Sequence, residues 1–283
     1  MGLRAAARTA APRLDQERRA APRDTALALQ AGRVALRAGD GATALAAFES
    51  VKTRVPVPAL LGIGRAQLKG RALPEAEAAF RAALTWLAKA PKDEPLRPLY
   101  GAAEQVAART GLCRALLPQV KERKVPAAQA LEAVAPVEAE VSQGPLATQA
   151  AAEGLACLAG LQELSGDIPR ALATAERAFT LAPSNVDACI RSANELNNTK
   201  QVAGARARYQ HCLTLPVPPE QAAFVQKALS ALAPPAATPA TPVRTPPPSA
   251  ANAAIDLARR YDLSTLLADP LARSVFVLPR RAP

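Results

Sequence analysis

A chain of 283 residues with 49% hydrophobic side chains carries ample apolar material for a buried core. Aromatic residues make up only 3%. Much of the apolar fraction is alanine, the residue that costs a helix least, so packed helices are favoured over a β-sandwich. The net charge of +11 raises the question of an anionic partner, but residues 1–23 contribute +4 of it and residues 244–283 contribute +3, outside the expected folded body. No Lys/Arg-rich block is interleaved with aromatics, so nucleic acid is not an expected partner. No run approaches the roughly 18 consecutive apolar residues of a membrane span.

In chain order, residues 1–24 (MGLRAAARTAAPRLDQERRAAPRD) are Arg-rich and lack the apolar run of a signal peptide; they read as a disordered basic arm. Cytoplasm is the default location, with periplasm or cell envelope the alternative if the true start lies upstream. Residues 25–232 show helical periodicity interrupted by short Gly, Pro or Asp turns. Four stretches share one outline, at about residues 25–56, 57–90, 152–185 and 186–217. The first has small residues at Ala31 and Gly32, a turn at Gly39 and Asp40, then Ala44, Phe48 and a closing Pro56. The second repeats the order with Gly64, Ala76 and Phe80, and the third with Ala159, Ala171 and Pro183. A shift of thirty-four residues then carries Ala171 onto Ala205 and Ala175 onto Tyr209. Residues 92–151 keep helical spacing without the outline and read as two degenerate hairpins, the alternative being a hinge between two repeat blocks.

After residue 232 comes a proline-rich linker, residues 233–250, with seven prolines between Pro234 and Pro248. Such density favours an extended, polyproline-like conformation. Residues 251–283 turn apolar again and read as a docking tail. Leu263, Leu266 and Leu267 are spaced for one helical face, and Val275, Phe276 and Val277 are suited to pairing with a strand edge.

The repeat has a physical reading of its own. A small residue at the crossing lets two helices approach, an aromatic fills the gap beside them, and a lone hairpin cannot bury its apolar face, so hairpins stack. The fold expected is all-α, an α-solenoid of helix-turn-helix hairpins. The four copies resemble divergent members of the tetratricopeptide repeat (TPR) family, of the kind found in bacteria. That family places small residues near positions eight and twenty of a thirty-four-residue unit, an aromatic near twenty-four and a proline near thirty-two. The match departs at Ala175, where an aromatic is expected, and in lacking the tryptophan of position four.

A search for chemistry finds little to set beside the repeat. Cys113, Cys157, Cys189 and Cys212 form no CxxC pair and read as small buried hydrophobes, although a hairpin would bring Cys189 and Cys212 near its open end, where a disulfide is the alternative. The single His211 supports neither a zinc site nor a catalytic triad. Neither catalysis, nor a metal, nor a cofactor is expected; oligomeric state is not legible.

The TPR resemblance implies that the first helix of each hairpin lines a concave surface. It places Arg33, Arg37, Arg65 and Lys69 there as a basic ladder, with Arg191, Asn194, Asn197 and Asn198 contributed by the fourth copy. A groove so lined suits an acidic or carboxylate-bearing extended peptide. Ile190 stands where carboxylate-gripping members of the family carry a lysine, and the plainer reading of the arginines is a solvated helix face. The expected function is a non-catalytic scaffold or adaptor that binds peptide segments of other proteins. The alternatives are an envelope or pilus assembly component and, from another class, a helical-repeat RNA binder.

Overall fold

The computed structural model describes residues 2–91, 95–142 and 148–232. The linker and the tail, including Leu263, Leu266, Leu267, Val275, Phe276 and Val277, lie outside the described residues. Among those described there is no strand, and thirteen α-helices follow one another, packed mostly on their neighbours in sequence.

Helix α1 (Gly2–Ala20) covers α2 (Thr25–Ala38), which forms a hairpin with α3 (Gly41–Glu49). The second hairpin is α4 (Pro56–Lys69) with α5 (Leu73–Lys89). The third pairs α6 (Ala102–Lys121) with a second limb broken into α7 (Ala127–Val134) and α8 (Val137–Glu140). Two more follow: α9 (Thr148–Leu164) with α10 (Ile168–Leu181), and α11 (Val186–Asn198) with α12 (Val202–Thr214). Helix α13 (Pro219–Ala231) closes the stack, its buried Val225 packing into the cluster of Ala193, Leu196, Ala205 and Tyr209.

The turns follow from residue chemistry. Gly39 takes a left-handed φ of 98° to end α2, and the next residue, Asp40, accepts the Thr43 amide at 2.9 Å to start α3. Gly166 (φ 88°) and Asp167 repeat the device before α10. Only a residue without a Cβ enters that region freely, and an Asp N-cap satisfies an otherwise orphaned helical amide. Arg71 and Lys200 take the same left-handed conformation after α4 and α11, so stacking imposes the turn even where the glycine is missing.

The aromatic residues act as wedges. The Phe48 ring lies so close to Gly32 of its own hairpin and Gly62 of the next that a Cβ would stand 2.6 Å and 2.5 Å from ring carbons. The Phe80 ring is held likewise between Gly64 and Gly111. Gly111 on α6 therefore corresponds to Gly62 on α4, and Cys113 and Arg114 correspond to Gly64 and Arg65.

Two expectations need correction. Residues 2–20, read as a disordered arm, form α1: Ala7, Ala11 and Asp15 lie one helical turn apart and are buried, and Asp15 is held by Arg18 and Arg19 at 2.7 Å each. Arg54 fastens the following turn by donating to the carbonyls of Pro22 and Arg23. The middle of the chain supplies one hairpin rather than two. Its first limb is the twenty-residue α6, and Pro136, which has no amide to donate, divides the second.

Candidate functional site

The first helices of the five hairpins (α2, α4, α6, α9 and α11) share one face of the stack. That face opens into a cavity of about 390 Å³ walled by α6, α9, α11 and α13, and into a smaller pocket of about 90 Å³ between α4, α6 and α9.

Arg33 and Arg37 project from successive turns of α2, exposed and without an ion pair or side-chain hydrogen bond among the described residues. Arg65 on α4 is also open to solvent and unpaired, but its guanidinium lies among the walls of the small pocket. That crowding, with the nearby Arg33 and Arg114 cations, holds its pKa below the usual arginine value, against the attraction of Glu153. It remains charged. Lys69 is different, because its ammonium donates to the Leu36 carbonyl and ties α4 to the end of α2.

The residues of the last clear copy are engaged inside the protein. Arg191 spans two acids, Glu163 at 2.6 Å and Glu195 at 3.3 Å. It reaches them across Gly160, where a Cβ would stand 2.7 Å from its terminal nitrogen. Asn198 donates to Glu163 at 2.9 Å and to Glu195 at 3.2 Å. Asn194 accepts the hydroxyl of the repeat aromatic, Tyr209, at 2.6 Å, and Asn197 is exposed.

Glu195 is fully buried, and its carboxyl titrates above the ordinary glutamate range because burial disfavours its charge and Glu163 adds repulsion, opposed by Asn198 and Arg191. A carboxyl with a raised folded pKa contributes most to stability when protonated, below its unfolded value of about 4.3, and loses that contribution as pH rises through the folded value. Glu195→Gln is therefore expected to flatten this fall. Urea midpoints of both proteins from about pH 4 to 8 measure it; parallel profiles would mean that Glu195 titrates normally.

Arg114 is the residue that sequence analysis misses. The Phe80 wedge sets it in register with Arg65, so the ninth positions of three successive first helices carry Arg33, Arg65 and Arg114. A signal is present in the chain, since Gly111-Leu112-Cys113-Arg114 echoes Gly62-Ile63-Gly64-Arg65. Arg114 pairs with Glu153 at 3.2 Å and Asp187 at 2.8 Å, joining α6 to α9 and α11. The larger cavity beyond it is partly apolar, with Leu117, Ala156 and Ile190 in its wall and Phe224, 48% exposed, at its rim.

The cysteines also require correction. Rather than four separate hydrophobes, they form two disulfides, Cys113–Cys157 and Cys189–Cys212. The second closes the α11–α12 hairpin at the pair singled out by the sequence. The first joins α6 to α9: Cys113 stands at the position of Gly64, and Cys157, two residues before Ala159, at the position of Gly62. Between those positions the earlier hairpins insert a phenylalanine ring. Among the described residues no cluster of His, Cys, Asp or Glu is arranged to hold a metal, and no helix is long and apolar enough to cross a membrane.

Comparison with known proteins agrees with this geometry at the level of fold. No protein-family model and no curated protein sequence matches the chain. Among solved structures, a thermophilic TPR protein of Thermus thermophilus is similar with a TM-score of 0.53 at 18% identity, over 74% of this chain and 98% of that one. The chain thus has a TPR-like helical solenoid fold.

Proposed function

We propose that the protein is a non-catalytic adaptor whose inner face binds an extended, acidic peptide segment of another protein. The observation that carries this reading is the set of cations left without internal partners: Arg33, Arg37 and Arg65 lie along two successive first helices, while the polar residues further on are tied to one another. Unpaired guanidinium groups in register present forked donors to carboxylates along a chain. The partly apolar cavity beside Phe224 offers room for a large apolar side chain of the same peptide.

A peptide library displayed against the full chain tests this. Enrichment of Asp- and Glu-containing peptides is expected, with Arg33→Glu plus Arg37→Glu weakening them by about tenfold at low salt. Both residues are exposed, so the double variant should keep its stability to within about 0.5 kcal/mol. Failure to enrich any peptide, or affinity indifferent to both reversals, overturns the reading. Retention of RNA that falls steeply with salt would favour a nucleic-acid partner instead.

The two disulfides favour a second reading of location, an oxidising compartment such as the bacterial periplasm or cell envelope, over the cytoplasm. Alkylation of the untreated protein from its native cell, followed by mass measurement, distinguishes them: four protected cysteines support the envelope, four modified ones the cytoplasm.

A further inference from the structure

The cavity walled by α6, α9, α11 and α13 differs in charge from the rest of the inner face. Fifteen basic and seven acidic residues stand between residues 2 and 91, against twelve of each between residues 102 and 232. A peptide that is acidic throughout therefore suits only the first hairpins. Glu153, Asp187 and Glu220 line the cavity together with Arg114 and Arg191. Arg114 is shared by Glu153 and Asp187, and Arg191 by Glu163 and Glu195. The exposed Glu220 carboxylate has no ion pair or hydrogen bond among the described residues. Five carboxylates thus draw on two guanidinium groups, and four still do once Glu195 takes up a proton.

The chain supplies its own example of what such a wall holds. On α10, Glu176 and Phe179 lie one turn apart, and the Arg208 guanidinium stacks 3.7 Å over the Phe179 ring while donating to both Glu176 oxygens, at 3.0 Å and 3.1 Å. On α13, Glu220 and Phe224 are likewise one turn apart, and both line the cavity. No cation of the described residues stacks on the Phe224 ring, and Lys227, on the following turn, is not in the cavity wall. A half-exposed ring beside an unpaired carboxylate attracts a cation through its face and through the charge together. The volume of about 390 Å³ corresponds to roughly thirteen waters at ~30 Å³ each, more than an arginine side chain needs.

We propose that this cavity receives an arginine side chain of the bound peptide, its methylenes against Leu117, Ala156 and Ile190 and its guanidinium over Phe224 and paired with Glu220. This rests on the peptide-adaptor reading and gives the large side chain admitted there a cationic end. The peptide then carries its acidic residues over α2 and α4 and an arginine toward α13. A planar, forked guanidinium meets a ring face and a carboxylate at once, which the compact, strongly hydrated ammonium of lysine does less well.

The test uses the full chain, ¹⁵N-labelled and with its disulfides intact, titrated with N-acetyl-arginine N-methylamide and with the citrulline and leucine analogues, a neutral isostere and an apolar side chain. Saturable shifts at the amides of Ile190, Gln221 and Phe224 are expected with the arginine probe, and binding about tenfold weaker or less with the other two. Glu220→Gln should weaken the arginine response by about tenfold, the worth of one charge-assisted hydrogen bond. Phe224→Leu, which keeps an apolar side chain at the rim, should weaken it by about threefold. Both positions are exposed, so the rest of the spectrum should stay in place. Citrulline or leucine binding as tightly as arginine, or an arginine response unchanged in Glu220→Gln, would overturn the assignment. Enrichment of acidic peptides that depends on Arg33 and Arg37, together with no response to the arginine probe, would sink this subsite alone. An arginine response without any enriched peptide would sink the adaptor reading and leave the subsite.

Discussion

Phe80→Ala is expected to lower the free energy of unfolding by about 3–5 kcal/mol, the range for truncating a fully buried phenylalanine. The ring is 0% exposed and belongs to the largest core cluster, with Leu112, Leu116, Leu158 and Leu161. It also forms the junction between α5 and α6, because the backbones of Gly64 and Gly111 approach it from either side. This makes the effect separable from ordinary loss of apolar area. Gly111→Ala in the native background places a methyl group inside the ring and should be strongly destabilising; in the Phe80→Ala background the same methyl enters the space the ring has left. Side chains in contact show coupling of about 0.5–3 kcal/mol. Denaturant unfolding of the two single variants and the double one gives the coupling directly, and strictly additive losses would mean that the ring does not wedge these helices apart.

This wedge explains what could and could not be read from the chain. The Gly39–Asp40 turn and the Gly32–Phe48 and Gly64–Phe80 pairs were legible because each residue type answers to one local demand: a left-handed φ, a capping oxygen, or a backbone close to a ring. The register of α6 was not legible. The chain between α5 and α6 lengthens the period, so that Cys113 follows Gly64 by forty-nine residues instead of the thirty-two that separate Gly64 from Gly32. Counting at a fixed period cannot carry Arg65 onto Arg114, whereas contact of Phe80 with Gly111 does so at once. Helix α1 was hidden for another reason. Its buried face is only Ala7, Ala11 and Asp15, and six arginines dominate the composition of residues 1–23. Of the expected site, Arg33, Arg37 and Arg65 are exposed and have no ion pair among the described residues. The internal roles of Lys69, Arg191, Asn194 and Asn198 arise from partners on neighbouring helices, which helical spacing within one copy does not reveal.

Removing the Cys113–Cys157 bridge, by Cys113→Ala with Cys157→Ala, is expected to cost about 4 kcal/mol on the loop-closure relation for cysteines 44 residues apart. The bridge takes the place that a phenylalanine ring holds in the first two hairpins, so its loss removes both a constraint on the unfolded chain and the covalent spacer between α6 and α9. Leu112, Leu116, Leu158 and Leu161 still pack across that junction, which should keep the helices folded and the circular dichroism of the variant native at low temperature. The Cys189–Cys212 pair serves as an internal comparison: it closes a shorter loop, 23 residues, inside one hairpin, and its removal should cost roughly 3 kcal/mol on the same relation. Cys157 lies in the wall of the cavity beside Arg114 and Asp187, so a reductant that enters the groove reaches the first bridge. Thermal melts of the oxidised protein, of the protein with reductant and of each double variant resolve the contributions. The reduced wild type should melt with or below the Cys113→Ala, Cys157→Ala variant. Identical melting with and without reductant, together with four freely alkylated thiols in the untreated protein, would show that the bridges do not form and that α6 and α9 are held by apolar packing alone.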